Sequence, residues 1–227
     1  MAVARPMAAM LGALFLVAAA VALPTPCRAS DQPALSQAQT ALFATNHLAA
    51  ISRPETLDYT FRHDGAEPYG DTVSLSVRAV HEDGSKDVAV AFLSGSRRVE
   101  MPEVARFHGN PLIMYFLEWD VRAMQRATGG AAVYFRNRIR DAFAEAQTED
   151  ATITIDGRKQ PATMIVLQPY LHDPAVARFA GLRDKTYRFV LAKAVPGMVY
   201  EIDTTVPAAD KGGKPTGDRL RFAGVEP

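Results

Sequence analysis

The stretch EWDVRAMQRATGGAAVYFRNRIR, residues 118–140, joins two charged, aromatic-rich segments through Gly129-Gly130. A glycine pair is a strong signal for the end of a helix, since glycine readily adopts the left-handed conformation that closes the last turn. The pattern predicts that one helix ends at this pair and that a second helix covers residues 131–147. So short a connection predicts an antiparallel helical hairpin.

The first helix of this hairpin carries one acid in an unusual position. We predict that the helix begins at Asn110-Pro111, with the asparagine as N-cap and the proline in the first turn. At helical spacing, Glu118 and Arg122 lie on a narrow polar side, and Asp120 falls in the middle of a wide apolar arc. A buried carboxylate is costly unless it is paired and hydrogen-bonded, so Asp120 requires a partner.

The second helix offers partners for that acid. Phe135 and Ile139 belong to its apolar stripe, and Arg136 and Arg140 lie one turn apart on a border of the stripe. We expect an arginine of this helix to reach Asp120 in a structural bridge, or backbone donors to satisfy the carboxylate. The alternative is that Asp120 lies at the floor of a ligand pocket, where its pKa would be perturbed.

The segments on both sides of the hairpin predict antiparallel strands. Residues 71–81, DTVSLSVRAVH, alternate apolar and polar side chains, which is typical of a half-buried strand. Further strands are separated by glycine-containing turns, and a helix is predicted over residues 34–50. Helices grouped among antiparallel strands predict an α+β fold, with a curved antiparallel sheet of about 7–8 strands, an N-terminal helix and an inserted helical hairpin.

The N-terminus has the layout of a secretory signal peptide. Arg5 precedes an apolar run from Met7 to Leu23, and small residues follow as far as Ala29. The alternative is a retained membrane anchor, for which the run is at the short limit of length. We therefore predict cleavage after Ala29 and a location in the bacterial periplasm.

This cleavage divides the chain into residues 1–29, the signal peptide, and residues 30–227, a single α+β domain. A segment near 207–218 is polar and rich in glycine and proline, and we predict that it is mobile. Cys27, the one cysteine, fits a lipidation motif poorly, and the predicted cleavage removes it together with the signal peptide. The secreted domain then has no disulfide and no thiolate site. We expect no stable membrane span after cleavage.

The composition excludes several classes of function. Removing the signal peptide deletes Arg5 and Arg28 from 25 basic residues, which leaves 23 basic against 25 acidic residues. This balance gives no electrostatic case for binding nucleic acid. No phosphate loop or dinucleotide motif is present, so no cofactor is expected. The histidines lack metal-site spacing, and a hydrolase built on His108 or Asp120 would lack a nucleophile. We therefore predict no catalytic and no metal-binding residues.

The order of signal peptide, N-terminal helix, antiparallel strands, helical insert and further strands resembles that of the periplasmic lipoprotein-carrier and sorting superfamily. The resemblance covers most of the secreted domain, but it lies in element order alone. It implies a curved half-barrel that holds a lipid or acyl chain under helices. No motif matches residue by residue, so the resemblance assigns no site residue.

Two functions follow from these patterns. The first is a non-enzymatic periplasmic binding or carrier protein for an apolar, lipid-like ligand held between the curved sheet and the hairpin. Seven residues of the hairpin are predicted to bind that ligand: Phe116, Trp119, Asp120, Met124, Phe135, Arg136 and Ile139. The alternative is an accessory protein for a periplasmic enzyme or envelope assembly system, which would bind its protein partner through Arg136 and Arg140.

Overall fold

The computed structural model describes residues 34–179, 181–210 and 212–226. Its α-helices are α1 (Gln37–Gln39), α2 (Pro111–Thr128) and α3 (Ala132–Glu145). Its strands, from β1 to β10 in chain order, are Glu55–Asp64, Tyr69–Val80, Lys86–Phe92, Val99–Glu100, Val104–Phe107, Thr148–Ile155, Arg158–Leu167, Thr186–Leu191, Val199–Thr205 and Gly217–Glu226.

All ten strands belong to one open, curved, antiparallel sheet. Its order is β4-β3-β2-β1-β10-β9-β8-β7-β6, and β5 also pairs with β3. Strand β10 lies between β1 and β9, so it joins the strands before the hairpin to those after it. The predicted α+β class with a curved antiparallel sheet is confirmed. The strand count exceeds the predicted seven or eight because β4 and β5 have two and four residues, too few to show an alternation pattern.

One face of the sheet, the inner face, packs against the helices and forms the main core. Leu57 and Phe61 of β1 and Val73, Leu75 and Val77 of β2 point to this face and are almost fully buried. The predicted alternation along residues 71–81 is therefore confirmed. Register shifts in four of the strand pairs add local twist to the sheet.

The N-terminal helix is much shorter than predicted. Helix α1 continues as one stretch of π-helix, Thr40–Ala44, and the chain then leaves the helical conformation. The reason is tertiary: the His47 side chain turns inward, where its Nε2 donates to the Ala41 carbonyl at 2.7 Å and its Nδ1 accepts from the Asn110 N–H at 3.3 Å. The prediction of a helix as far as residue 50 is wrong.

The helical hairpin forms at the predicted signals. Asn110 caps α2, because its Oδ1 accepts from the Leu112 N–H at 3.0 Å. Gly129 ends the helix in the left-handed conformation, with a φ of 70°. Helix α2 contacts β3 and β9, and α3 contacts β7, so the hairpin covers the inner face.

The predicted signal peptide and its cleavage site lie outside the described residues. Within the described ranges, no helix is long and apolar enough to cross a membrane. Within the segment near 207–218, Thr216 forms a β-bridge with Val206, and β10 begins at Gly217. Its mobility stays a prediction.

Candidate functional site

A row of polar side chains crosses the inner face of the sheet at one level. This polar row consists of Tyr69, His63, Asp218, Thr204 and Tyr187, on β2, β1, β10, β9 and β8. The strand registers pair Tyr69 with His63, His63 with Asp218, and Thr204 with Tyr187. The Asp218 N–H donates to Thr204 Oγ1 at 3.1 Å and closes the row. On β1, β10, β9 and β8 the next inward-facing residue is apolar and buried: Phe61, Leu220, Ile202 and Phe189.

Asp120 projects from α2 towards the sheet and binds two side chains at the polar row. Lys185 Nζ donates to Asp120 Oδ1 at 2.5 Å, and the Tyr187 hydroxyl donates to Oδ2 at 2.6 Å. The Asp120 and Lys185 side chains are only 2% and 6% exposed, so they form a buried ion pair. The expected arginine partner is therefore wrong: a lysine on the sheet side binds this acid, and no α3 arginine reaches it within the described residues.

The tyrosines around Asp120 act as hydrogen-bond donors. Burial raises the pKa of Tyr187 well above its usual value, and the negative charge of Asp120 raises it further, so the phenol keeps its proton. The Tyr170 hydroxyl donates to the sulfur of Met124 at 3.4 Å, and burial raises the Tyr170 pKa too. Both oxygens of the buried carboxylate thus have a donor, as a buried anion requires.

Asp218, at the centre of the polar row, lies in the same electrostatic environment. Its Oδ1 is 2.8 Å from Nδ1 of His63. Burial raises the pKa of Asp218, the hydrogen bond from His63 lowers it, and the nearby charge of Asp120 raises it again. The polar row and the Asp120–Lys185 pair are therefore one connected cluster.

The two arginines predicted to bind a partner lie on the outside of the hairpin. Arg136 binds Glu118 of α2 through two hydrogen bonds, Nε to Oε2 at 2.9 Å and Nη2 to Oε1 at 2.8 Å. This contact lowers the pKa of Glu118, and Arg122 binds the same carboxylate from the next turn of α2. Arg140 is 70% exposed and contacts Asp141 at 3.4 Å. Arg136 therefore joins the two helices, and Arg140 faces solvent.

The predicted ligand-binding residues separate into two groups. Phe116, Met124, Phe135 and Ile139 are buried in the main core, where the helices meet the sheet. Trp119 is half-buried, and its ring packs against Phe61 and Phe92 at centroid distances of 6.1 and 5.9 Å. These five side chains and Asp120 lie at the interface between hairpin and sheet. Arg136 lies on the opposite side of the hairpin.

Lys185 and Tyr187 are the partners that sequence reasoning missed. A usable signal was present: Lys185, Tyr187, Phe189 and Leu191 are two residues apart, and three of them are typical of a buried strand face. Period-two alternation therefore places the lysine on the same face as the aromatic residues. A lysine on a buried face needs an acid, and Asp120 was the acid without a partner.

The chemistry available to this cluster is recognition by charge and hydrogen bonds. Within the described ranges, no group of three or more His, Cys, Asp or Glu side chains is arranged to hold a metal ion. A cleft of about 460 Å³ lies in the segment that connects β7 to β8, which contains the short 3₁₀-helix Pro174–Arg178. Leu171, Val176 and Phe179 form part of its lining. Phe179 packs against Phe135 at 5.4 Å, so this cleft adjoins the core under α3.

Comparisons with known proteins give no family assignment. No family model matches the chain, and no curated protein matches it. Among solved structures, lipoprotein LppX of Mycobacterium tuberculosis is similar at 7% identity and a TM-score of 0.30, with 74% of this chain and 84% of that chain covered. A LolA superfamily protein of Nitrosomonas europaea has 10% identity and a TM-score of 0.20, with coverage of 85% and 94%. TM-scores as low as these support no argument about the fold or the function of this chain.

Proposed function

We propose that the protein is a non-enzymatic periplasmic carrier for an apolar, lipid-like ligand held between the inner face of the sheet and the helical hairpin. One observation carries the proposal: the inner face is apolar along the strands and ends, at one level, in the polar row. A surface with an apolar floor and a few polar groups at one end suits a molecule with an apolar body and a polar end. The periplasmic location rests on the predicted signal peptide.

Ligand binding in this proposal requires the hairpin to move away from the sheet, because the side chains between them are packed together. Phe116, Phe135 and Ile139 would then contact the apolar body of the ligand. Met124 suits an adaptable surface, since its unbranched thioether side chain changes rotamer easily. The Asp120–Lys185 pair and the hydrogen bond from Tyr187 of β8 to Asp120 link α2 to the sheet, so they control how far the hairpin opens.

Native mass spectrometry of the secreted protein, purified from its own periplasm, tests this function. We expect a stoichiometric adduct that survives gentle ionisation and is released by organic solvent as an apolar molecule. A protein that carries no adduct and takes up no added long-chain fatty acid would contradict the proposal.

A matched pair of variants tests where the ligand lies. Ile139→Asn adds a polar amide beneath α3 and is expected to reduce the adduct. Val133→Asn makes the same chemical change at an exposed position of the same helix and is expected to leave it unchanged. Equal retention in the two folded variants would place the ligand elsewhere.

A second function, an accessory protein that docks a periplasmic partner, is favoured by the exposure of Arg140. Charge reversal of Arg136 and Arg140 should then abolish capture of that partner. Arg158→Glu, at the first residue of β7, is the matched control because it reverses an exposed arginine outside the hairpin. A monodisperse monomer that captures no protein would contradict this function.

A further inference from the structure

Arg126 and Trp119 form an exposed contact at the C-terminal end of α2. The guanidinium carbon of Arg126 lies 5.5 Å from the centroid of the Trp119 ring. Arg126 is exposed and, within the described ranges, forms no ion pair and donates no side-chain hydrogen bond. A cation in the last turn is favoured by the helix dipole, which explains its position but leaves its N–H donors uncommitted.

A second arginine, Arg97 in the short turn between β3 and β4, has the same arrangement over an aromatic ring. The guanidinium carbon of Arg97 lies 4.5 Å from the centroid of Tyr69, the first member of the polar row. Its Nε donates to Asp71 at 3.0 Å, while its Nη groups have no acceptor in the described part of the chain. Burial raises the pKa of Tyr69, and the charges of Arg97 and Arg126 both lower it, so both cations act on one phenol.

Trp119 contributes a third kind of uncommitted donor. Its Nε1 is buried and has no hydrogen-bond partner among the described residues. An indole N–H without an acceptor is costly to bury, so an acceptor at this position would be favourable. The ring of Trp119 also contacts the apolar core through Phe61, which places this donor at the border between apolar and polar surface.

The acids near these donors are already engaged. Asp71 accepts from Arg97 and from the Ser94 hydroxyl, and Asp218 is held by His63. Apart from the Tyr69 hydroxyl, which can donate or accept, the uncommitted groups at this border are donors. A surface rich in donors recognises groups that only accept, of which carboxylate and phosphate are the common biological examples.

We propose that the ligand carries an anionic headgroup, a carboxylate or a phosphate, and that Arg126, Arg97 and Trp119 Nε1 bind it at the end of the inner face. This inference rests on the proposed carrier function and adds the class of ligand and the residues that select it. The acyl body then extends from Trp119 along the apolar strands, and the headgroup stays at the exposed arginines.

Calorimetric titration of three lauryl compounds tests the inference: lauric acid, lauryl phosphate and lauryl alcohol share one chain and differ in headgroup. We expect the two anions to bind about tenfold more tightly than the alcohol, the effect of one charge-assisted hydrogen bond. Arg126→Gln should weaken binding of the two anions and so reduce their preference over the alcohol, without changing affinity for the alcohol. Arg122→Gln, one turn earlier on α2, is the matched control, because Arg122 binds Glu118.

The outcomes separate the two proposals. If the alcohol binds as tightly as the anions, or if Arg126→Gln behaves like Arg122→Gln, the carrier function stands and the anionic headgroup is wrong. If none of the three compounds binds, the carrier function fails, and the headgroup proposal fails with it. A preference for lauric acid over lauryl phosphate, or the reverse, identifies the source of the negative charge. Arg97→Gln provides a second variant with the same expected direction.

Discussion

Asp120 and Lys185 form a buried ion pair, with Lys185 Nζ 2.5 Å from Asp120 Oδ1. A buried ion pair recovers its desolvation cost only with good geometry and additional hydrogen bonds, and here Tyr187 supplies one. Such a pair contributes specificity more readily than stability. In this protein it fixes the position of α2 over the polar row, which answers why an acid occupies an apolar helix face.

A double-mutant cycle on this pair gives the first prediction. Asp120→Ala or Lys185→Met alone should lower the free energy of unfolding by about 3–5 kcal/mol, because each leaves a buried charge without its partner. The combined Asp120→Ala, Lys185→Met variant should be much closer to the native protein than the sum of the single changes. Urea unfolding curves measure the three values. Additive losses would show that the two residues do not depend on each other.

His47 gives a prediction about pH. Burial lowers its pKa below the usual 6.5, and the hydrogen bond to the Ala41 carbonyl opposes this only in part. The neutral ring is required, because Nε2 donates to Ala41 while Nδ1 accepts from Asn110. A depressed folded pKa means that the unfolded chain binds the proton first, so stability is fully present above about pH 6.5 and falls as the pH drops below it.

Thermal melts between pH 5 and 8, a range that spans the ordinary histidine pKa of about 6.5, measure this effect. The melting temperature of the native protein should fall more steeply towards acid than that of His47→Gln, whose side chain does not titrate. All other histidines are unchanged in the variant, so the difference in slope belongs to His47. Parallel curves for the two proteins would refute the assignment.

The connection of the helical hairpin depends on two glycines for different reasons. Gly129 has a φ of 70°, and a Cβ there would meet no neighbouring atom within 4 Å. A Cβ on Gly130 would lie 2.7 Å from Phe135 Cζ and 2.9 Å from Phe179 Cζ. The first position is limited by backbone conformation, and the second by the aromatic rings packed beneath it.

Alanine substitutions distinguish these two limits. Gly129→Ala should cost about 1–2 kcal/mol, the price of the left-handed conformation for a residue with a Cβ. Gly130→Ala should cost more, because Phe135 is fully buried and has no room to move. Truncating Phe179 to alanine should rescue part of the Gly130→Ala loss and none of the Gly129→Ala loss. Equal losses, with no rescue, would contradict this account of the turn.

The elements that the sequence predicts well are those with local signals. Asn110 and Gly129 mark the two ends of α2 through residues that are adjacent to those ends in sequence. The alternation around Val73 and Leu75 likewise predicts a strand without information from other segments. The length of the N-terminal helix was predicted wrongly because His47 binds Asn110, which is distant in sequence, and the helix ends before it. The short strands β4 and β5 exist only because they pair with β3.

In the candidate site, too, local signals were predictable from the sequence and contacts between distant segments were not. Asp120 was identifiable from its own helix, since an acid in an apolar arc needs a partner. The identity of that partner depended on how β8 lies relative to α2, and helix periodicity carries no such information. The polar row depended on the register of five strands, so no single segment reveals it.

At the scale of the whole molecule, the sheet offers one long apolar face that ends in the polar row and is covered by the helical hairpin. Among the residues that the structure describes, the Asp120–Lys185 pair lies among apolar contacts between the hairpin and the sheet. Apolar contacts with one specific ion pair suit a helical hairpin that separates from the sheet and returns to the same position. The proposed carrier function depends on that separation.

Trp119 is the only tryptophan in the chain, and it lies where the proposed ligand would pass. Its fluorescence therefore reports whether an acyl chain enters between the hairpin and the sheet. We would titrate the protein with a fatty acid brominated near the middle of its chain and with the same acid without bromine. The account predicts saturable quenching by the brominated acid alone, at about one ligand per chain. Fluorescence that the two acids change equally, or that neither changes, would contradict it.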